Sequence, residues 1–506
     1  MNDKNNQMKW ITLAIFFLLI GVSILPSISS QHITISKDVS GGKTVITVDD
    51  DGDGDFTSIQ DAIDNATSGD TIEVYSGTYL ETDIVVNKQL ILQGIDTELG
   101  NGSGSGKPLI INNEDDKKVV MLNADGCRIS GFHIKSTGCC SWGIYLFRSN
   151  NHHVYQNEID NINFGIYLRV SSNNNIHNNI VTKSFYAIIN SYISHNNQIY
   201  DNYVFDCGYG IRIDNYAENI TVYNNTVSEI NAVGIGTAWS NNNTIHGNKV
   251  TNCGKGIELW MEDDDYGYRN TVYNNLITSC GRGIYVTGKD HKIYRNNIIN
   301  CKFGIRMETL ESIPPVYCCN NSVFDNTIIN SRDTGIRLDG VYTTDIYKNI
   351  ITNSDIMGLY LFKAKMNNIF ENNITYNDNG IWLTGSEGNV IYHNNFIGNS
   401  ENAYCYGDPW DRHNSWNLGY SNDGGGNYWD DYKGNDRNGD GIGDRPYIIP
   451  DTDYNRLNND RDEYPLMEPD GRPNSRVHPV SRLHLLRFSF LQRFPLLERL
   501  MNLILT

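Results

Sequence analysis

The sequence has little positive charge and few long apolar runs. Its 506 residues include 40 Lys and Arg against 59 Asp and Glu, a formal net charge of −19 at pH 7. Nucleic acids repel a chain this acidic, so we exclude nucleic acid as a general partner. The apolar run from Ile11 to Leu25 is shorter than the about 20 residues that a membrane-spanning helix needs.

This apolar run lies in a segment typical of exported proteins. Lys4 and Lys9 precede it, and small residues follow it at Ser27–Ser30. A basic head, an apolar middle and small residues indicate a signal peptide. We therefore predict a signal peptide over residues 1–30, with a retained anchor as the alternative. The expected location is extracellular, on the cell surface or periplasmic.

One short segment, Gly-Ile-x-Leu or a close variant, recurs along the chain. The interval is about 21 to 24 residues in most places, and it is longer after Gly256 and Gly304. Self-similarity at such a period predicts a stacked repeat architecture. The segment begins at Gly143, Gly165, Gly210, Gly234, Gly256, Gly283, Gly304, Gly335, Gly358 and Gly380, with Ala187 in place of glycine once.

A second signature lies in the middle of each repeat and ends in asparagine, as in Val154–Asn157. An aromatic ring or histidine stands two residues before the asparagine each time, and stacking of these rings explains them without a ligand. Stacked coils would place successive asparagines about 4.8 Å apart, with their amides hydrogen-bonded along the axis. The asparagines are Asn157, Asn179, Asn202, Asn225, Asn248, Asn275, Asn296, Asn326, Asn349, Asn372 and Asn394.

The repeats contain short alternating runs and lack a helical period, which argues against a leucine-rich repeat. We predict an all-β fold, a right-handed single-stranded parallel β-helix of about a dozen coils with a capping helix near Phe56–Ala66 and a C-terminal cap. The expected divisions are a cap and first coils over 45–125, repeats over 126–400, a C-terminal cap over 401–470 and a basic amphipathic tail over 471–506.

Cysteines occur in register with the repeats. Cys253, Cys280 and Cys301 fall on successive coils, three residues before the repeat glycine. Parallel side chains point the same way, so we expect a buried ladder of thiols rather than disulfides. The adjacent pairs Cys139–Cys140 and Cys318–Cys319 lie in loops, and their connectivity cannot be read from the sequence.

Three blocks carry a resemblance to a known family. They are Val48–Ile63 followed by Gly77-Thr78-Tyr79, the repeats themselves, and a C-terminal block made of Gly426–Tyr432, Gly439–Tyr447 and Tyr464–Met467. Together they resemble the NosD-type, or CASH, β-helix domains of the pectin-lyase-like superfamily, and the last block looks like that of archaeal surface members. The resemblance implies the fold. It also implies a link to periplasmic copper-site maturation, but the sequence has no Met- or His-rich tract that supports copper.

The outward position of the Gly-Ile-x-Leu segment carries rings and guanidinium groups, which suit sugars and acidic polysaccharides. The alternative is an ordinary solvated face. We expect an exported protein that binds polysaccharide or cell-surface glycan along this face without catalysis. The predicted binding residues are Tyr285, Arg306, Arg337, Tyr360 and Trp382.

Catalysis is the alternative function. Glu308 and Asp339 occupy equivalent places on neighbouring coils, each near an arginine, Arg306 or Arg337. Two such carboxylates can serve a glycoside hydrolase, and an arginine can support a polysaccharide lyase. No motif fixes either reaction. A copper-maturation accessory role like that of NosD is a further alternative, which rests on the resemblance alone.

One local motif indicates calcium. Oxygen ligands from Asp436, Asn438, Asp440, the Ile442 carbonyl and Asp444 follow the start of a calcium loop, but Tyr447 replaces the final Glu. Asp430, Asp460 or Asp462 would have to complete the shell. The acids at 49, 51, 53 and 55 are a weaker candidate, and we expect them to be solvated. The tail over 471–506 is predicted to touch a membrane or a protein partner, with a disordered appendage as the alternative.

Overall fold

The structure is a computed structural model that describes residues 44–261, 266–311, 316–406, 414–420, 425–450 and 460–469. The predicted signal peptide and the predicted tail lie outside these residues. Within them, no helix is long and apolar enough to cross a membrane.

The chain winds into a parallel β-helix whose coils each add one strand to three faces. Face 1 is a sheet of 15 strands that follow one another along the axis. Its strands are Val45–Val48, Thr71–Val74, Ile91–Gly94, Arg128–Ser130, His153–Tyr155, Asn175–His177, Gln198–Tyr200, Thr221–Tyr223, Thr244–His246, Thr271–Tyr273, Lys292–Tyr294, Ser322–Phe324, Asp345–Tyr347, Asn368–Phe370 and Val390–Tyr392.

Face 2 follows face 1 in each coil. Its strands are Thr78–Tyr79, Leu109–Asn112, His133–Ser136, Glu158–Asp160, Ile180–Thr182, Tyr203–Cys207, the first parts of Thr226–Ala238 and Lys249–Trp260, Leu276–Thr278, Asn297–Ile299, Thr327–Ile329, Ile350–Thr352, Asn373–Thr375, Asn395–Ile397 and Tyr428–Trp429.

Face 3 carries the Gly-Ile-x-Leu segments and completes the coil. Faces 2 and 3 belong to one sheet because two long strands continue around the corner between them. The strands of face 3 are Ile84–Val86, Lys118–Leu122, Trp142–Phe147, Phe164–Arg169, Tyr186–Ser191, Tyr209–Asp214, the second parts of Thr226–Ala238 and Lys249–Trp260, Arg282–Val286, Phe303–Glu308, Thr334–Asp339, Met357–Phe362, Asn379–Thr384 and Glu401–Tyr406.

The core is a column of aliphatic side chains inside the coils. In the repeat, the isoleucine and the leucine both point inward, as at Ile257 and Leu259, which are fully buried. The repeat glycine has a steric cause, because a Cβ at Gly256 would lie 2.6 Å from the carbonyl oxygen of Gly283 on the next coil. The pattern thus fixes both which side chains fill the core and how closely the coils stack.

The asparagine ladder runs along the corner between faces 1 and 2. Each of its side chains donates from Nδ2 to Oδ1 of the asparagine one coil later, at 2.9–3.1 Å. The same Oδ1 accepts the backbone N–H of the earlier asparagine, as between Asn225 and Asn248 at 2.9 Å. The ladder continues past Asn394 to Asn427 in the C-terminal cap. Buried amides therefore satisfy one another along the axis.

The two ends of the column are closed differently. At the N-terminal end the helix α1, Ile59–Asn65, begins at Ser58, whose hydroxyl accepts from the Asp61 N–H at 3.3 Å. This confirms the predicted capping helix. At the C-terminal end Trp416 and Trp429 are buried, and a short antiparallel pair joins Tyr447–Ile448 to Arg461–Asp462.

The number of coils and the state of the cysteines were both predicted from the sequence. The 15 strands of face 1 exceed the expected number of about a dozen, because the first coils have no Gly-Ile-x-Leu or asparagine signature. The ten cysteines are thiols, and Cys253, Cys280 and Cys301 are buried on successive coils, as expected.

Candidate functional site

Four of the predicted site residues on face 3, Arg306, Glu308, Arg337 and Asp339, line a groove of about 710 Å³. Strands Phe303–Glu308 and Thr334–Asp339 pair in register, so Arg306 lies beside Arg337, and Glu308 lies beside Asp339. Two aligned coils thus bring together four residues that the sequence separates. The groove is lined by these four residues and by Thr309, Leu310, Glu311, Tyr317, Tyr342, Lys363 and others.

An ion-pair network fixes the four charged side chains. Arg306 Nη2 lies 3.1 Å from Glu308 Oε2 and 3.1 Å from Asp339 Oδ2. Arg337 Nε donates to both oxygens of Asp339 at 2.9 Å. Because both carboxylates contact one guanidinium nitrogen, their oxygens cannot be more than twice that distance apart. Side-chain exposure of 12% for Asp339 and 27% for Arg337 leaves the arginine as the more accessible partner.

Aromatic rings lie against the guanidinium groups of Arg306 and Arg337. The Arg337 guanidinium lies 5.0 Å from the centre of the Tyr360 ring and 5.9 Å from that of Phe303. Arg306 lies 5.6 Å from the Phe303 ring. Ring contacts of this kind restrict the rotamers of arginine, so the two cations are held in place before any ligand arrives.

Tyr285 has a different environment from the one the sequence suggests. Its side chain points outward from the coil but is only 4% exposed, because Lys255 and Arg282 cover the ring at 4.8 and 4.6 Å. Its hydroxyl donates to Glu308 Oε2 at 3.1 Å, and burial followed by the Glu308 charge raises the pKa of the phenol. Tyr285 therefore positions Glu308 and offers no ring face to a ligand.

Tyr360 and Trp382 lie on the next two coils. Both are half-buried; the Tyr360 hydroxyl contacts Thr384 Oγ1 at 3.4 Å, and the Trp382 ring lies 4.3 Å from that of Tyr404. Neither lines the groove itself. They extend the outward row of face 3 toward the C-terminal end.

Sequence reasoning missed one wall of the groove. Tyr317 is 46% exposed and packs edge-on against Tyr342, with ring centres 5.7 Å apart. Tyr317 belongs to the insertion that lengthens the repeat between Gly304 and Gly335. That long interval was the available signal, since an insertion in a solenoid projects from one face as a loop.

The predicted calcium loop forms a chain of tight turns. Asp436 accepts the N–H groups of Gly439 and Gly441 at 2.7 and 2.9 Å, and Asp440 accepts that of Ile442 at 2.9 Å. Tyr420 donates to the second oxygen of Asp440 at 2.7 Å. Calcium binding at this loop, with Asn438 and Asp444 as further ligands, stays a prediction.

Two of the three acids considered for the remaining calcium ligand have other contacts. Asp462 is fully buried and accepts the Trp429 indole N–H at 3.0 Å and the Asn427 N–H at 2.6 Å. Asp430 accepts from Gly398 and Asn402. Both carboxylates fasten the C-terminal cap to the last coils.

Comparison with known proteins matches most of the described chain to one family. Residues 63–220, 142–312 and 307–434 match the family described as periplasmic copper-binding protein (NosD). Two relatives, each described as a probable ABC transporter binding protein NosD, come from Pseudomonas aeruginosa and Stutzerimonas stutzeri, and each is 34% identical. The alignments cover 27% of this chain and 31% and 30% of those relatives, so the chain matches less than a third of their length.

Two solved structures align with parts of the chain. The mannuronan C-5 epimerase AlgE6 A-module of Azotobacter vinelandii aligns with a TM-score of 0.42 at 14% identity, over 71% of this chain and 92% of that one. A catalytic domain of GH87 α-1,3-glucanase in complex with nigerose aligns with a TM-score of 0.47 at 13% identity, over 78% and 71%.

The family description raises the question of copper. Copper favours sulfur and imidazole nitrogen ligands. Among the described residues, one group brings three possible metal-ligand atoms close together. It consists of Asp49, Asp51 and Glu98, and all three atoms are carboxylate oxygens. The buried thiols lie in a row along successive coils and do not converge on a point. These donor sets do not fit a copper centre.

Proposed function

Because the chain belongs to the NosD family of parallel β-helix proteins, we propose that it is an exported binding protein whose face 3 groove holds an acidic polysaccharide without cleaving it. The periplasmic description of the family agrees with export. The observation that carries the proposal is the pair of fixed, partly exposed guanidiniums of Arg306 and Arg337 in the groove.

The charge of the groove supports an anionic ligand. Four cationic residues, Arg306, Arg337, Lys363 and Lys365, line it against three acids, Glu308, Glu311 and Asp339. The lining thus carries one more cation than acid, whereas the whole chain has a net charge of −19. Guanidinium groups bind carboxylates and sulfates through paired hydrogen bonds, which favours uronic or sulfated sugars.

The shape of the groove supports an extended ligand. A volume of about 710 Å³ falls in the range of sites that hold several sugar-sized groups. The two guanidiniums lie on adjacent coils, and Tyr360 and Trp382 continue the row on the next two. A chain running along the axis would thus meet a cation or a ring at each step of about 4.8 Å.

The surroundings of the two acids support binding rather than hydrolysis. A glycoside hydrolase needs two carboxyl groups that can reach the scissile bond. Here Asp339 contacts both arginines, and Glu308 contacts Arg306 and the Tyr285 hydroxyl. The acids therefore act as anchors for the arginines.

A matched pair of triple variants tests the proposal. The groove variant combines Arg306→Gln and Arg337→Gln with Asp339→Asn, so that no buried carboxylate is left unpaired. The control combines Arg295→Gln, Lys348→Gln and Asp325→Asn, which lie in the turns between faces 1 and 2 of the same two coils and the next one, and change the charge equally. Calorimetric titration with oligouronates, sulfated oligosaccharides and neutral glucans should show at least about tenfold weaker anionic binding for the groove variant alone.

Two results would overturn the proposal. Equal binding by the parent, the groove variant and the control would make face 3 a structural wall. New reducing ends or unsaturated products from the parent, abolished by Glu308→Gln, would show instead that the groove is a hydrolase or lyase site.

A further inference from the structure

A second site lies at the N-terminal end of the β-helix, far along the axis from the groove. Three acids meet there: Asp49 and Asp51 in the loop after the first strand of face 1, and Glu98 in the loop after the third. One carboxylate oxygen of each lies within 4.8 Å of the others. The sequence suggested solvated acids, but Asp49 is fully buried.

The buried acid has an unused oxygen. Asp49 Oδ2 accepts the Asp53 N–H at 3.2 Å, whereas Oδ1 has no hydrogen-bond partner and no contact with solvent. Glu98 repeats this arrangement, since its Oε2 accepts the Gly104 N–H and its Oε1 is buried without a partner. Buried carboxylate oxygens are almost always paired, so two unpaired ones in one cluster indicate a missing positive partner.

No protein cation supplies that partner. Among the described residues, no lysine or arginine forms an ion pair with Asp49, Asp51 or Glu98. Three carboxylate oxygens within 4.8 Å of one another repel, so the cluster is costly without a bound cation.

The loop that contains Glu98 passes close to these carboxylates. Every second residue from Gly100 to Gly106 is glycine. A Cβ at Gly100 would lie 1.8 Å from Asp53 Oδ2, one at Gly102 would lie 2.3 Å from Asp51 Oδ2, and one at Gly104 would lie 2.1 Å from Glu98 Oε2. The Asn101 N–H also donates to Asp53 Oδ2 at 3.0 Å. The glycines therefore let the backbone approach the acids closely.

We propose that Asp49, Asp51 and Glu98 bind a calcium ion that ties the third coil to the first and closes the N-terminal end. Carboxylate oxygens are the ligands that calcium prefers, and its flexible shell accepts water and backbone oxygens in the remaining positions. Asp51 is exposed, so the ion enters from solvent on that side. This site is independent of the glycan proposal and of the loop at Asp436–Asp444.

Thermal unfolding of the full chain tests the site. The protein, stripped with EDTA, is melted with and without added CaCl₂ or MgCl₂, in an Asp440→Asn background that removes a principal acid of the other candidate loop. Calcium should raise the Tm by several degrees and magnesium by less, because an ion bound only by the folded state stabilises it by mass action. Titration calorimetry should show one bound calcium ion.

Asp49→Asn separates ion binding from a structural role. It should abolish the calcium-induced rise, and in EDTA it should melt at the same temperature as the parent or higher, because it removes a buried charge that has no partner. Glu98→Gln should weaken calcium binding, whereas Asp64→Asn, on the exposed side of α1, should change nothing. The proposal is overturned if calcium stabilises Asp49→Asn as much as the parent, if no calcium binds, or if Asp49→Asn is equally destabilised with and without calcium.

Discussion

Face 1 and face 3 belong to the same coils but differ in regularity. On face 1 an outward-pointing ring stands two residues before the ladder asparagine in every coil from Tyr155 to Tyr392. Successive ring centres lie 4.8–5.3 Å apart. On face 3 the equivalent row changes from Arg212 to glycine, Glu258, Tyr285 and Arg306. The outward position of face 1 thus keeps one type of side chain along the axis, whereas that of face 3 changes from coil to coil.

The corners beside face 1 are equally regular. The asparagine ladder lies at the corner between faces 1 and 2, and a second polar ladder lies at the corner between faces 3 and 1. Each of its side chains accepts a backbone N–H from the equivalent position one coil earlier, at 2.7–3.4 Å. Its acceptors are His152, Asn174, Asn197, Asn243, Asn270, His291, Asn321, Thr344, Asn367, Asn389 and Asn414. Repetition thus accompanies stacking along the axis, whereas departures from repetition on face 3 produce the groove.

Breaking the asparagine ladder should have the largest effect on stability. Asn275 accepts from both the backbone and the side chain of Asn248, and it donates to Asn296 and to two backbone carbonyls. Asn275→Ala leaves several buried groups unpaired, so we expect a loss of about 3 kcal/mol or more in unfolding free energy. Denaturant unfolding measures it. Asn368→Ala, at an exposed asparagine on face 1, should cost less than about 1 kcal/mol; equal losses would contradict the structural role of the ladder.

The second ladder should give the molecule an acid sensitivity. Burial lowers the pKa of His291 from 6.5 to about 4, and its Nδ1 accepts the Asn270 N–H at 3.1 Å. The folded state keeps His291 neutral while the unfolded chain takes up a proton, so stability present above pH 6.5 is lost as the pH falls toward 4. The loss is on the order of 3 kcal/mol for a shift of this size.

His291→Asn restores the residue found on both neighbouring coils, and it should reduce this acid sensitivity. The measurement is the Tm of the parent and of the variant at pH 7 and pH 4.5. His152 occupies the same ladder with a pKa lowered to about 4 by burial, so it retains part of the effect. A variant whose Tm falls with acid as steeply as that of the parent would contradict this assignment.

Much of this regular architecture follows from the sequence. The period of the Gly-Ile-x-Leu segments predicts the register, and the aligned repeats place Arg306, Glu308, Arg337 and Asp339 together before any coordinates are known. The second ladder escapes notice because its members vary among Asn, His and Thr, although all offer an acceptor atom at the same place.

The rest depends on contacts that the sequence does not encode locally. Asp49 is buried by a loop that contains Glu98, on a coil two turns away, and no pattern in the first coils reveals that approach. Tyr285 is covered by side chains of its own and the preceding coil, Arg282 and Lys255, so an outward position did not guarantee an exposed ring. Loops and side-chain coverage, rather than strand register, therefore decide where the surface is open.

The smallest expected effect on stability comes from removing one stacked ring of face 1, and it tests whether faces 1 and 3 have different roles. Tyr273 stacks between His246 and Tyr294 at 4.8 and 5.0 Å, and Tyr273→Ala removes both ring contacts while leaving the coil backbone unchanged. We expect a loss of about 1 kcal/mol per ring pair in unfolding free energy and no change in affinity for any oligosaccharide bound by the parent. The groove triple variant should show the reverse, weaker binding with little change in Tm. If Tyr273→Ala weakens binding by more than the groove variant does, the stacked rings of face 1 form the ligand surface, and regularity along the axis serves recognition as well as stability.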